Sequence, residues 1–126
     1  MLHHISLPVT DLERSARLYD GALAALGYRR VFSSETFVGY GIEDGKDKFA
    51  IVASENAISA GAGFHLALAA PSREAVDRFY QIALELGALS NGAPGLRLHY
   101  GPHYYAAFII DPDGHHIEAV INGEIA

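Results

Sequence analysis

Apolar and polar residues alternate over residues 3–9, His-His-Ile-Ser-Leu-Pro-Val. Ile5, Leu7 and Val9 share one face and His4, Ser6 and Pro8 the other, the period-two pattern of a half-buried strand. The period then changes. Leu12, Ala16, Tyr19, Leu23 and Leu26 recur at helical spacing and Gly27 stops the run. Thr10-Asp11-Leu12-Glu13 reads as a capping box, with Thr10 as N-cap and Glu13 reaching back. Strands follow at 28–33, 36–42 and 48–53, the last two joined by a turn at Glu43-Asp44-Gly45-Lys46.

The pattern then starts again. Residues 63–70 read as a strand with Leu66 and Leu68 on one face and His65 and Ala67 on the other. Ser72 is the expected N-cap of a helix over 73–86, whose apolar face is Val76, Phe79, Ala83 and Leu86. Strands at 104–110 and 116–121 flank the turn Asp111-Pro112-Asp113-Gly114. Residues 54–62, small and polar, read as a linker, and 88–103 as a long loop.

Shifting the chain by 61 residues, the distance from His4 to His65, makes this recurrence explicit. Leu7 falls on Leu68, Glu13 on Glu74, Arg17 on Arg78, Tyr19 on Tyr80, Ala22 on Ala83 and Leu23 on Leu84. The Asp-Gly pairs at 44–45 and 113–114 are offset by 69 instead, so the second copy holds about eight extra residues. A duplicated unit of strand, helix and three strands predicts an α+β fold. We expect one domain over 1–126, made of two βαβββ modules at about 1–54 and 63–126, with curved mixed sheets forming a cup and helices outside.

Composition removes several function classes. The chain has 126 residues, half of them apolar, which suits one packed domain. Fifteen acidic against nine basic residues give a formal charge of −6, which disfavours a nucleic-acid partner. With no cysteine there is no disulfide, thiolate ligand or cysteine nucleophile. No apolar run approaches the ~20 residues of a membrane span, and Met-Leu-His-His-Ile lacks the basic start of a signal peptide. The expectation is a cytoplasmic protein with a small-molecule substrate or ligand and no membrane partner. The glycines form neither a phosphate-binding loop nor a dinucleotide fingerprint, and no serine sits in a nucleophile elbow.

What remains is a histidine repeated at the same strand position, His4 and His65, and a carboxylate, Glu118, on the final strand. Two imidazoles and one carboxylate suit one divalent ion, Fe, Mn, Ni or Zn, and leave positions open for substrate. Strand parity sends His4 and His65 to the face opposite the helix-packing residues, and Glu118 can share it.

The paired βαβββ modules, the early histidine in each and the closing Asp111-Pro112-Asp113-Gly114-x-x-Ile117-Glu118 resemble the vicinal oxygen chelate superfamily. Its members include glyoxalases, extradiol dioxygenases, fosfomycin-modifying enzymes and bleomycin-sequestering proteins. Asn91-Gly92-Ala93-Pro94-Gly95-Leu96-Arg97 and Tyr104-Tyr105-Ala106-Ala107-Phe108 further resemble a subgroup of small glyoxalase-like proteins. The resemblance implies metal ligands at His4, His65 and Glu118. Lyase members add a carboxylate from the first module, but Phe49-Ala50-Ile51-Val52-Ala53 supplies none, so a three-ligand site as in the dioxygenases fits better.

The implied activity is that of a metal-dependent lyase or dioxygenase chelating two oxygens of a small substrate. The alternative is a non-enzymatic protein of the bleomycin-resistance type that sequesters a drug or metabolite. Comparison with the family pattern turns Phe108 inward, and with it Tyr104 rather than Tyr105. Glu118 and Tyr104 are then the expected catalytic pair, Tyr104 as a hydrogen-bond donor or acid. Arg97, His99, Tyr100, Phe108 and His116 are the expected substrate contacts, Arg97 as a clamp on a carboxylate. Gly92, Gly95 and Gly101 would hinge the 88–103 segment as a gate over the cup. A homodimer is expected, because the family often pairs and sheet edges need cover.

Overall fold

The computed structural model describes residues 1–123. Its elements run β1 Ile5–Val9, α1 Leu12–Ala24, β2 Arg29–Ser33, β3 Phe37–Glu43, β4 Lys46–Ala53, β5 Leu66–Ala69, α2 Arg73–Glu85, β6 Leu89–Leu96, β7 Tyr104–Ile110 and β8 His116–Asn122. The fold is α+β, two four-stranded sheets with one helix each. The strand orders are β1-β4-β3-β2 and β5-β8-β7-β6. In each sheet the first strand pairs in parallel with the last, and the other pairings are antiparallel. A parallel neighbour needs a crossover, and each helix supplies it.

Period-two strands and an apolar helix stripe bury the same side of both sheets. Val9, Phe49 and Ile51 from the first and Ile109, Ile117 and Ala119 from the second join one core with Tyr19, Leu23, Val76 and Phe79 of the helices. The helices also pack against each other. Gly27 and Gly87, both with positive φ, end the helices where a side chain would be strained. None of the described helices is long and apolar enough to cross a membrane.

Three expectations fail. The N-cap of α1 is Asp11, whose carboxylate accepts from Arg14 N at 3.1 Å. Thr10 is drawn away instead: its amide and hydroxyl both donate to Asp113 Oδ1, at 3.1 and 2.7 Å. Ser72 does cap α2, accepting from Ala75 N. Second, the first half of the 88–103 segment is not a loop. Residues 89–96 form β6, paired with β7 and broken by bulges at Gly92 and Gly95. That leaves only Arg97–His103 as a loop between β6 and β7, so Gly92 and Gly95 serve a bulged edge strand rather than a hinged gate. The strand expected at 63–70 is shorter too, and His65 stands one residue before β5.

Candidate functional site

Pairing register decides which residues can meet on the open face of the second sheet. Ala67 lies beside Glu118, Glu118 beside Phe108, and Phe108 beside Gly92, one row across β5, β8, β7 and β6. Alternation puts Tyr104 on the same face as Phe108, while Tyr105 turns to α2. There its hydroxyl donates to Asp77 at 2.6 Å and Arg73 stacks on its ring.

Glu118 is 1 % exposed, and both of its oxygens are engaged. Oε1 lies 2.9 Å from His65 Nε2, whose side chain remains half exposed. Oε2 accepts a short hydrogen bond from the Tyr104 hydroxyl. A buried carboxylate is costly unless partnered, and these two contacts are its partners. Burial and the neighbouring Glu118 push the Tyr104 phenol up to about 12, so it holds its proton at neutral pH. Tyr104 is also the inner end of an aromatic stack with Tyr100 and His99 in the β6–β7 loop.

The other expected residues fall around this centre. Phe108 meets the His65 ring edge-on, with centroids 6.2 Å apart. The Arg97 guanidinium lies over the opposite side of the row, 5.3 Å from the Phe108 centroid. His116 Nδ1 accepts weakly from the Asn91 amide at 3.4 Å. His4 is exposed, contacts His3 at 2.8 Å and borders a groove shared with Leu66 and Ala67. It does not join His65 and Glu118: among the described residues no three His, Asp or Glu side chains converge on one point.

Local sequence gave no sign of a second polar cluster, which positions β8. Asp111, 3 % exposed, accepts from the Asp113 and His115 amides and from the Tyr19 hydroxyl at 2.6 Å. His115, which directly follows the turn, is buried, and its Nε2 donates to Pro8 O at 2.6 Å. Arg14 adds an ion pair to Asp113 at 3.1 Å. The turn of the second module is thereby bolted to the β1–α1 connection of the first, a few residues upstream of Glu118. The Asp-Pro-Asp-Gly motif was the available signal, but it announces a turn and not its partners.

The residues present suit a divalent ion. They offer an imidazole nitrogen and a carboxylate oxygen on one open face. Their 2.9 Å separation is a close imidazole–carboxylate contact. It is close to the roughly 3.0 Å between donors at right angles on an octahedral ion with bonds of about 2.1 Å.

Comparison with known proteins bears on the family and the fold. The profile described as Glyoxalase/Bleomycin resistance protein/Dioxygenase superfamily matches residues 1–119. A glyoxalase/bleomycin resistance protein from Albidiferax ferrireducens T118 superposes with a TM-score of 0.82 at 30 % identity, covering 96 % of this chain and 98 % of that one. A putative glyoxalase from Bacillus halodurans gives 0.71 at 31 % identity, over 95 % and 94 % of the two chains. The fosfomycin resistance protein FosX from Mesorhizobium loti shares the fold, with 0.66 at 23 % identity over 98 % and 92 %. A search of curated proteins gave no match.

Proposed function

The chain belongs to the glyoxalase/bleomycin resistance protein/dioxygenase superfamily, and on that premise we propose that it is a metal-dependent enzyme acting on a small, oxygen-rich substrate. The observation that carries the reading is Glu118: a carboxylate buried on an open sheet face, with an imidazole on one oxygen and a phenol on the other. The ligands are His65 and Glu118 from one module and His4 from the other. A divalent ion held there, Fe, Mn, Ni or Zn, would act as a Lewis acid toward two neighbouring substrate oxygens.

The chain's own groups do the rest. Glu118 supplies the charge that balances a cation, and its burial keeps water from competing for it. Tyr104 orients Glu118 and holds a proton that it can hand to an oxyanion developing on the substrate. Phe108 and Tyr100 give the substrate an apolar floor and wall.

His4 reaches this set from a second copy. β1 and β5 are both edge strands, and each is immediately preceded by one of the two histidines. Covering those edges with a symmetry-related chain protects unpaired backbone groups and makes two equal cups per homodimer.

Metal analysis of untagged, metal-supplemented protein tests both statements. Wild type should hold about one equivalent per chain, and His4→Ala and Glu118→Ala should hold little. In the hybrid dimer of those two variants one cup carries both defects and the other none, so half of the metal should return. Failure of wild type to bind any divalent ion refutes the metal reading. A hybrid as empty as its parents refutes the shared cup. Comparing turnover with and without oxygen then separates dioxygenase from lyase chemistry.

A further inference from the structure

Arg97 occupies a seat built for a guanidinium. Nη1 donates to Gly95 O at 2.9 Å and Nη2 to Ala93 O at 2.7 Å, so the group lies flat along its own strand. The strand makes room by carrying glycine beneath it. A Cβ on Gly92 would stand 3.1 Å from both Arg97 Nη2 and Phe108 Cδ2, and one on Gly95 3.3 Å from Nη1. The Phe108 ring forms the other side. The backbone amide of Arg97 donates to Tyr104 O at 2.8 Å, which sets the residue level with Tyr104 on the open face.

This cation has no counter-charge. Among the described residues Arg14, Arg29 and Arg30 each pair with an aspartate, whereas Arg97, like Arg17, Arg73 and Arg78, pairs with no carboxylate; it alone of these four is held by two carbonyls against an aromatic ring on the open face. Its two bonds go to neutral carbonyls, which leaves three of its five N–H donors free. A purely structural clamp on two edge-strand carbonyls needs no such isolation, since water can satisfy those carbonyls.

We propose that Arg97 is an oxyanion receptor, and that the substrate carries a carboxylate, phosphate or phosphonate in addition to its chelating oxygens. The row Glu118, Phe108, Gly92 spans two strand spacings of about 4.8 Å each, with the guanidinium above its far end. The substrate class is therefore a compact anion with a flat apolar middle that rests on Phe108, charged group at one end and reacting oxygens at the other. The position of the reacting oxygens rests on the metal reading above; the anion seat does not.

The test uses metal-free protein, so that it stands apart from that reading. Benzoate and benzamide are nearly isosteric and differ in charge. Wild type should bind benzoate about tenfold or more tightly than benzamide, with amide shifts confined to Gly92–Arg97 and Phe108 in nuclear magnetic resonance spectra. The preference should shrink as salt is raised. Arg97→Gln should abolish it, and Arg97→Lys, which keeps the charge without the fork, should retain only part. Glu118→Ala should preserve it, because that carboxylate lies two strands away from the seat. Equal binding of the two probes, no saturable benzoate binding at millimolar concentration, or a preference that survives in Arg97→Gln overturns the proposal. Should Arg97→Gln fail to fold, an undiminished preference in Arg97→Lys overturns it equally, because the fork is then not what recognises the anion.

Discussion

Replacing Tyr19 by phenylalanine removes one oxygen from the middle of the molecule and should cost far more than most hydroxyl deletions. The Tyr19 hydroxyl is wholly buried and donates to Asp111 Oδ2 at 2.6 Å, while Oδ1 is already taken by two backbone amides. Deletion leaves a buried carboxylate oxygen without its donor. Hydrogen bonds to charged groups contribute about 1.5–3 kcal/mol, so a loss of about 2–3 kcal/mol is expected. With a urea slope of about 1.5 kcal/mol/M, the midpoint should fall by about 1.3–2 M. Tyr40→Phe is the control: its hydroxyl also donates to a carboxylate, at 2.9 Å, but Asp20 is 40 % exposed and Arg30 holds it bidentately. That loss should stay within about 1 kcal/mol. In a cycle with Asp111→Asn, most of the Tyr19 effect should disappear in the double variant. A Tyr19→Phe loss no larger than the Tyr40→Phe loss would show that the polar cluster between the modules contributes little.

Two further predictions concern the cup. Tyrosinate absorbance attributable to Tyr104, obtained by difference from Tyr104→Phe, should rise near pH 12 rather than 10 in metal-free protein. Because the folded value is raised, the stability from the Tyr104–Glu118 bond is complete below pH 10 and is lost as pH climbs toward 12; a transition at 10 refutes the pairing. Gly92→Ala should destabilise by about 1–2 kcal/mol, since φ is +146° and the new methyl meets Arg97 and Phe108. It should also weaken benzoate binding, and a variant as stable and as tight as wild type would show that the seat is not confined.

Most of the architecture was legible because it repeats: two period-two strands, two apolar helix stripes and a serine cap all obey local rules. What escaped depends on contacts from afar. Thr10 and Asp11 are both good caps, and only Asp113, about a hundred residues on, decides between them by claiming Thr10. β6 was hidden because Asn91-Gly92-Ala93-Pro94-Gly95 carries every mark of a turn. An edge strand tolerates those residues, since the proline needs no ladder partner on its free side. In the site, strand parity allowed Glu118 the face of the two histidines, and only the resemblance to the family pattern around Phe108 chose Tyr104 over Tyr105. Parity is silent on whether His4 reaches the same point, because that depends on how sheets are placed and not on the order within a strand.

The register also fixes how many carboxylates each chain can offer to the proposed metal site. β1 pairs Ser6 with Ala50, and β5 pairs Ala67 with Glu118. Since 6 and 67 differ by the repeat length, Ala50 is the counterpart of Glu118; the 69-residue offset of the turns includes a bulge in the β3–β4 hairpin. The first module thus keeps its histidine and lacks its carboxylate. Two first modules would offer only imidazoles, and only a mixed pair gives two imidazoles, one carboxylate and open positions. Ala50→Glu should restore the symmetric four-ligand set. Ala50 is fully buried, so the metal-free variant should lose about 1–3 kcal/mol by desolvating the new group. The loaded variant should surrender its metal to a chelator more slowly than wild type, and should bind chelating ligands less well because a position is filled. If Ala50→Glu releases metal as fast as wild type while remaining folded, Ala50 does not face the cup and the proposed pairing of unlike modules is wrong.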